Sequence, residues 1–172
     1  MKEQGTIILI PSFEPNKKFI NYIKQLKNYF SSIVVVNDGS KAEYQPIFDC
    51  INQYDEIQVI GYNTNKGKGY ALKHGYKYID DTIQNYSGII TVDCDGQHLV
   101  EDVYQISKQL NQNNYDFIFG CRDFSQKHVP FKSKIGNTFT SILIFILYGK
   151  WLSDTQTGLR AFRKELTPFM LE

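Results

Sequence analysis

Short apolar, β-branched runs recur along the chain at 6–10 (TIILI), 33–36 (IVVV), 57–60 (IQVI), 89–92 (IITV) and 117–119 (FIF). Each has about the length of a buried strand. Between them the period changes. The segment 16–30 has apolar residues at Phe19, Ile20, Ile23, Leu26 and Phe30; 67–83 at Tyr70, Ala71, Leu72, Tyr76, Ile79 and Ile83; 99–110 at Leu99, Val103, Ile106 and Leu110. These i, i+3/i+4 stripes predict helices with one apolar face.

Alternating strands and helices predict an α/β fold with a mostly parallel central sheet and helices on both faces, joined by right-handed crossovers. Ligands of such sheets bind beyond the carboxyl ends of the strands. The tips are PSFEPN, NDGS, YNTNKGKG, DCDGQH and GCRDF, and all five carry acidic or basic residues. From about residue 122 the alternation breaks: a basic loop, 122–134, leads into the apolar stretch 135–148 and then GKWLSDTQTGLRAF. No internal repeat or low-complexity segment is apparent.

With 172 residues, 42% hydrophobic and 22% charged, the chain supports one sizeable core and is expected to form a single domain. Its formal net charge of +1 removes a global polycation and with it nucleic acid as the expected partner. Positive charge is local instead, with Arg122, Lys127, Lys132 and Lys134 against Asp123. Cys50, Cys94 and Cys121 are odd in number and form no CxxC pair, which argues against a disulfide framework or structural zinc and fits a reducing, cytoplasmic setting. The N-terminal apolar run is too short for a signal peptide, and no stretch approaches the roughly 20 apolar residues of a membrane span.

The stretch GIITVDCDGQHL (88–99) ends an apolar run in two carboxylates. In extended backbone, residues i and i+2 point the same way, so Asp93 and Asp95 are expected to share one side while Cys94 faces the other. Like charges so close call for a cation between them. A hard divalent ion, Mg²⁺ or Mn²⁺, fits two oxygen ligands and completes its shell with water and substrate phosphates. D-x-D-G is also common turn composition. A zinc site on Cys94 and His98 lacks two further soft ligands.

At the second tip, Asp38 and Gly39 put a carboxylate where a nucleobase N–H or ribose hydroxyls can donate to it. The alternative is an Asp-Gly turn with Ser40 capping the next helix. At the third, NTNKGKGYALKHG (63–75) is Gly-rich and cationic at a predicted helix start, yet matches neither GxGxxG nor the Walker A pattern.

Taken together, LIPSFEP, VVVNDGS, NKGKGYALKHG, VDCDGQH and DTQTGLRAF occur in the order found in family 2 glycosyltransferases, which the chain resembles across nearly its whole length. DCDGQH and SDTQTGLRAF look most like the branch of dolichyl- or polyprenyl-phosphate sugar synthases. The resemblance implies a GT-A (Rossmann-like) fold, a UDP- or GDP-linked sugar donor, a divalent metal at the D-x-D aspartates, inversion at the anomeric carbon and a lipid-phosphate acceptor. It implies a nucleotide-sugar-binding part over 1–98 and an acceptor-side part over 99–172.

By the same resemblance Pro11, Glu14 and Asp38 surround the base and ribose, and Lys66 with Gly67 approaches the nucleotide. Asp95 holds the metal, Asp93 serves as ligand or donor contact, and Gln97 supports the metal loop or the acceptor phosphate. His98 stands behind these residues rather than acting as a base. A lipid phosphate is already ionised near neutral pH and needs cationic positioning rather than a general base. Arg122, Lys132, Lys134 and Arg160 offer that positioning. Asp154, in SDTQTG, is a base for a hydroxyl acceptor or a structural contact for a phosphate.

The run 142–148 (ILIFILY) is apolar all round a helix, which suits either a core or a membrane interface beside the basic loop. Family members usually continue past TGLRAF, so a truncated or minimal catalytic domain working at the cytoplasmic face of a membrane is expected. Two rival readings are a nucleotide-sugar-binding module without turnover and a haloacid-dehalogenase-type phosphotransferase. The second is suggested by VDCDG, although in that family the motif follows the first strand and continues with Thr or Ser.

Overall fold

A computed structural model describes residues 2–112, 115–121 and 157–172. The chain divides into two compact units, one of Met1–Ile118 with Leu159–Glu172 and one of Phe119–Gly158. The expectations attached to Arg122, Lys132, Lys134, Asp154 and the apolar run 142–148 lie outside the described residues. In the second unit, the Thr157 hydroxyl donates to the Gly120 carbonyl at 2.5 Å.

The strands are β1 (Thr6–Ser12), β2 (Ile33–Asp38), β3 (Ile57–Tyr62), β4 (Gly88–Thr91), β5 (Phe117–Phe119) and β6 (Arg160–Arg163). They form one sheet in the order β3-β2-β1-β4-β6-β5. β1 pairs in parallel with β2 and β4, and β2 with β3. β6 runs antiparallel to β4, with Thr91 opposite Arg160 and Gly88 opposite Arg163. The mostly parallel sheet is as expected. The antiparallel β6 was not, since RAFR is four residues long and no apolar run marks it.

Period-two alternation explains why the central strands are apolar on successive residues. Ile8, Ile10, Ile33, Val35, Ile90 and Val92 face one cluster with α1 (Lys18–Leu26), α2 (Gln45–Ile51) and α4 (Val100–Asn111). Ile7, Leu9, Val34, Val36 and Ile89 face the other, with α3 (Lys68–Thr82) and Phe162. Both faces are covered, so both must be apolar.

The helices follow their stripes. Phe19, Tyr22, Ile23 and Leu26 are the buried positions of α1, and Ala71, Gly75, Tyr76 and Ile79 those of α3. α2 is a seven-residue helix with Pro46 in its first turn, too short to carry a readable period.

At the opposite end from the strand tips, Asn111 ties α4 to the sheet. Its amide donates to Glu3 Oε1 at 2.8 Å and to the buried Thr6 hydroxyl at 3.2 Å. Its Oδ1 accepts from Ser87 Oγ at 2.7 Å.

Candidate nucleotide-sugar site

The sequence turns sharply at each of the first four strand tips. Gly39, Gly67 and Gly96 have φ of 66°, 88° and 74°, and Glu14 is the non-glycine residue with positive φ among the described residues, at 47°. At Gly39 the conformation is reinforced by crowding, because a Cβ there would lie 2.3 Å from Asn65 N and from Thr64 C. The β2 tip and the 64–65 backbone can meet this closely only through glycine.

Together these turns enclose a pocket of about 330 Å³ lined by Pro11, Ser12, Phe13, Asp38, Asn65, Gly67, Lys68, Asp93, Cys94 and Asp95. Of the residues expected here, Pro11, Asp38, Gly67, Asp93 and Asp95 line it.

Glu14 does not. Its backbone N–H donates to Ser40 Oγ at 2.9 Å and its carboxylate pairs with Lys41 at 3.2 Å. Ser40 therefore ties the β1 tip to the β2 tip, and the one-turn 3₁₀ helix that follows has no side-chain cap. Lys66 contributes through its backbone, while its ammonium turns away to the Tyr70 hydroxyl at 3.2 Å and lies over the Tyr70 ring at 4.4 Å. Gln97 likewise acts through its backbone N–H, which donates to Asp95 Oδ1 at 3.0 Å. Arg160 is on β6 opposite Thr91, two residues before Asp93.

Asp38 is 3% exposed. Its Oδ1 accepts the Tyr62 hydroxyl at 2.7 Å and the Lys66 backbone N–H at 2.8 Å. Burial, and then this bond to a carboxylate, push the Tyr62 phenol well above its ordinary value.

Asp93 is flanked on both oxygens. Lys68 Nζ bonds Oδ1, and His98 Nε2 lies 3.5 Å from Oδ2, an ion-pair distance rather than a hydrogen bond. His98 first, and then Lys68, hold the Asp93 carboxyl down at about 2 against the opposing effect of burial.

Cys94 departs from the expected geometry. β4 ends at Thr91, so residues 93–96 form a turn rather than an extended strand, and the alternation that would send Cys94 away no longer applies. Cys94 lines the same pocket as the two carboxylates and also packs against the core cluster that holds Ile90 and Val92. Burial is the main cause raising its pKa, with the Asp95 and Asp93 charges adding to it, so it is a poor thiolate.

Three buried polar atoms around this turn have no hydrogen-bond partner among the described residues: Ser12 Oγ, Tyr22 Oη and His98 Nε2. Tyr22 packs under Gly96, whose Cβ position lies 3.6 Å from the ring. Burial first, then the charges of Asp95 and Asp93, raise its phenol above the ordinary range.

The donor set fits a hard divalent ion completed by substrate. Asp95 has one oxygen engaged by a backbone N–H, Asp93 stands two residues away, and among the described residues no group of three His, Cys, Asp or Glu forms an all-protein cage. The residues that sequence reasoning missed include Ser12, Phe13, Asn65 and Lys68 in the pocket lining and Tyr62 behind Asp38. Only Lys68 carried a visible signal, as the second lysine of NKGKG.

Comparison with known proteins bears on the family and the fold. The family model for glycosyl transferase family 2 matches residues 7–168. An uncharacterized protein of Methanocaldococcus jannaschii is 33% identical over 92% of this chain and 72% of its own length. The UDP-N-acetylglucosamine–dolichyl-phosphate N-acetylglucosaminyltransferase of Methanococcus voltae is 26% identical over 100% of this chain and 74% of its own.

Among solved structures, glucosyl-3-phosphoglycerate synthase from Mycobacterium tuberculosis, in complex with Mn²⁺, UDP-glucose and phosphoglyceric acid, superposes with a TM-score of 0.68. That match is 12% identical and covers 94% of this chain and 57% of the other, so the chain spans little more than half of that structure and the likeness speaks for the GT-A fold alone. A family model spanning nearly the whole sequence leaves no room for the phosphotransferase reading of VDCDG, and the chain belongs to glycosyltransferase family 2.

Proposed function

We propose that this chain transfers a sugar from a UDP- or GDP-linked donor to a polyprenyl or dolichyl phosphate, with inversion, in a divalent-metal-dependent reaction at the cytoplasmic face of a membrane. The observation that carries the reading is one pocket shared by Asp38, the start of α3 and the Asp93–Asp95 turn. A nucleoside diphosphate needs three things from a protein: an acceptor for its base or ribose, a positive environment for its phosphates, and charge compensation as it leaves.

Asp38 supplies the first. Gly67 and Lys68 open a 15-residue helix whose N-terminal N–H groups and dipole favour an anion, and Lys68 adds a full charge. Bound at Asp95, with Asp93 beside it, Mg²⁺ or Mn²⁺ would supply Lewis-acid neutralisation of the departing diphosphate. Asp93, paired with Lys68 and beside His98, is held ionised and faces the same space, where it orients the sugar-diphosphate.

An ionised phosphate acceptor requires no proton removal, which is consistent with His98 lying behind Asp93. Arg160 on β6, together with Arg122, Lys132 and Lys134, is assigned to that phosphate. By its place in SDTQTG, Asp154 is read as a structural contact for such an acceptor. The acceptor is supported by the sequence motifs and by the similarity to a dolichyl-phosphate transferase. No helix among the described residues is long and apolar enough to cross a membrane.

The test is transfer of radiolabelled sugar from UDP- and GDP-sugars to polyprenyl phosphate in detergent with Mn²⁺. Product extractable into organic solvent is expected. Donor binding without any transfer would replace this reading with that of a binding module.

A further inference from the structure

The Asp38 carboxylate is asymmetric. Both donors that reach it from the described residues, the Tyr62 hydroxyl and the Lys66 N–H, land on Oδ1 at 2.7 and 2.8 Å. Oδ2 accepts no hydrogen bond from the described residues and is not among the sealed, unpartnered atoms, so it opens to the pocket that Asp38 lines. One donor comes from the end of β3 and the other from the loop that follows it. Together they fix the carboxylate in both position and rotation. A ligand entering this pocket meets one acceptor oxygen rather than two.

The bases differ in what they offer such an oxygen. Guanine presents N1–H and N2–H side by side, a pair that a carboxylate satisfies with both oxygens. Uracil presents a single imide N–H between two carbonyls, which one oxygen satisfies. Resting on the donor-site reading above, we propose that Tyr62 is a positioning residue that makes Asp38 a one-oxygen acceptor and thereby selects a uridine over a guanosine donor. Binding guanine would leave its second N–H without a partner in a nearly buried site, and that is where discrimination arises.

The experiment measures binding of UDP and GDP to the whole chain by calorimetry in Mn²⁺, for wild type, Tyr62→Phe and, as a control, Tyr70→Phe. Wild type is expected to bind UDP at least about tenfold more tightly than GDP. Tyr62→Phe frees one of the two bonds to Oδ1, so UDP should weaken about five- to tenfold while the preference narrows to about threefold or less. With a UDP-sugar the loss should appear in KM, with kcat within about twofold. Tyr70→Phe, which touches Lys66 Nζ and not Asp38, should keep the preference.

Equal affinity of wild type for UDP and GDP overturns the inference whether or not the variant folds, and leaves the donor-site reading intact. So does a Tyr62→Phe protein that binds both nucleotides more weakly by the same factor, as a merely structural role requires. Failure of wild type to bind either nucleotide instead overturns the donor site itself.

Discussion

Lys68, in the first turn of α3, closes an ion pair onto Asp93 at the end of the fourth strand tip, so a protein cation already occupies one oxygen of the D-x-D pair. Lys68 is half exposed, which makes the pair exchangeable rather than a fixed buried bridge. Lys68→Met should therefore tighten Mn²⁺ binding to the nucleotide-free protein by a few-fold, about 1 kcal/mol or less. The same substitution should weaken nucleoside-diphosphate binding. Manganese titration followed by electron paramagnetic resonance reads the first effect, and unchanged Mn²⁺ affinity would show that Lys68 and the metal do not compete.

Asp95 has an oxygen left for a metal, whereas both Asp93 oxygens have neighbours. Asp95→Ala should abolish the Mn²⁺-dependent part of the thermal shift given by UDP or GDP, because ligand stabilises only through binding to the native state. Transfer should fall by about a hundredfold or more. A metal-dependent shift that survives in Asp95→Ala moves the metal elsewhere.

Acid stability should also report on Asp93. Its carboxyl lies at about 2 when folded, below an ordinary value of about 4. A depressed folded value means that the native state holds the proton less tightly than the unfolded chain. The stabilisation is therefore present in full above the unfolded value and is lost as pH falls from about 5 through 2. With its side chain 30% exposed, the contribution is at most about 2 kcal/mol. Urea midpoints from pH 7 to pH 3 should fall less steeply for Asp93→Asn than for wild type, and parallel curves would remove Asp93 as a source of acid sensitivity.

Gly39→Ala combines a disfavoured φ with a collision against the backbone of residues 64 and 65. It should cost about 2–3 kcal/mol, seen as a lowered urea midpoint, and should also weaken nucleotide binding, since Asn65 and Gly67 line the pocket. Normal stability with normal binding would mean that the two tips separate freely.

Asn111→Ala tests the far end of the sheet. Removing its amide leaves the buried Thr6 hydroxyl without that donor and should destabilise by about 1–3 kcal/mol. Nucleotide affinity in the folded protein should stay within about twofold, because the substitution lies at the opposite end of the strands. Loss of affinity at full stability would contradict that separation.

Element order was legible in the sequence because each central strand must be apolar on both faces and each flanking helix on one. Periods of two and of three to four residues therefore declare themselves locally. The strand tips followed from that order, and with them Asp38, Gly67, Asp93 and Asp95. β6 was hidden because arginines at both ends of RAFR break any apolar run, and α2 because seven residues are too few to show a period. What only the tertiary structure decided is which atoms of the tip residues face the ligand. Glu14 turned out to pair with Lys41, Lys66 to act through its N–H, Cys94 to share the pocket, and Tyr62 and Lys68 to hold the two carboxylates. Those contacts join residues 24 to 28 positions apart through turns whose φ angles and close backbone approach exist only once β1 to β4 are aligned, so no local pattern could encode them.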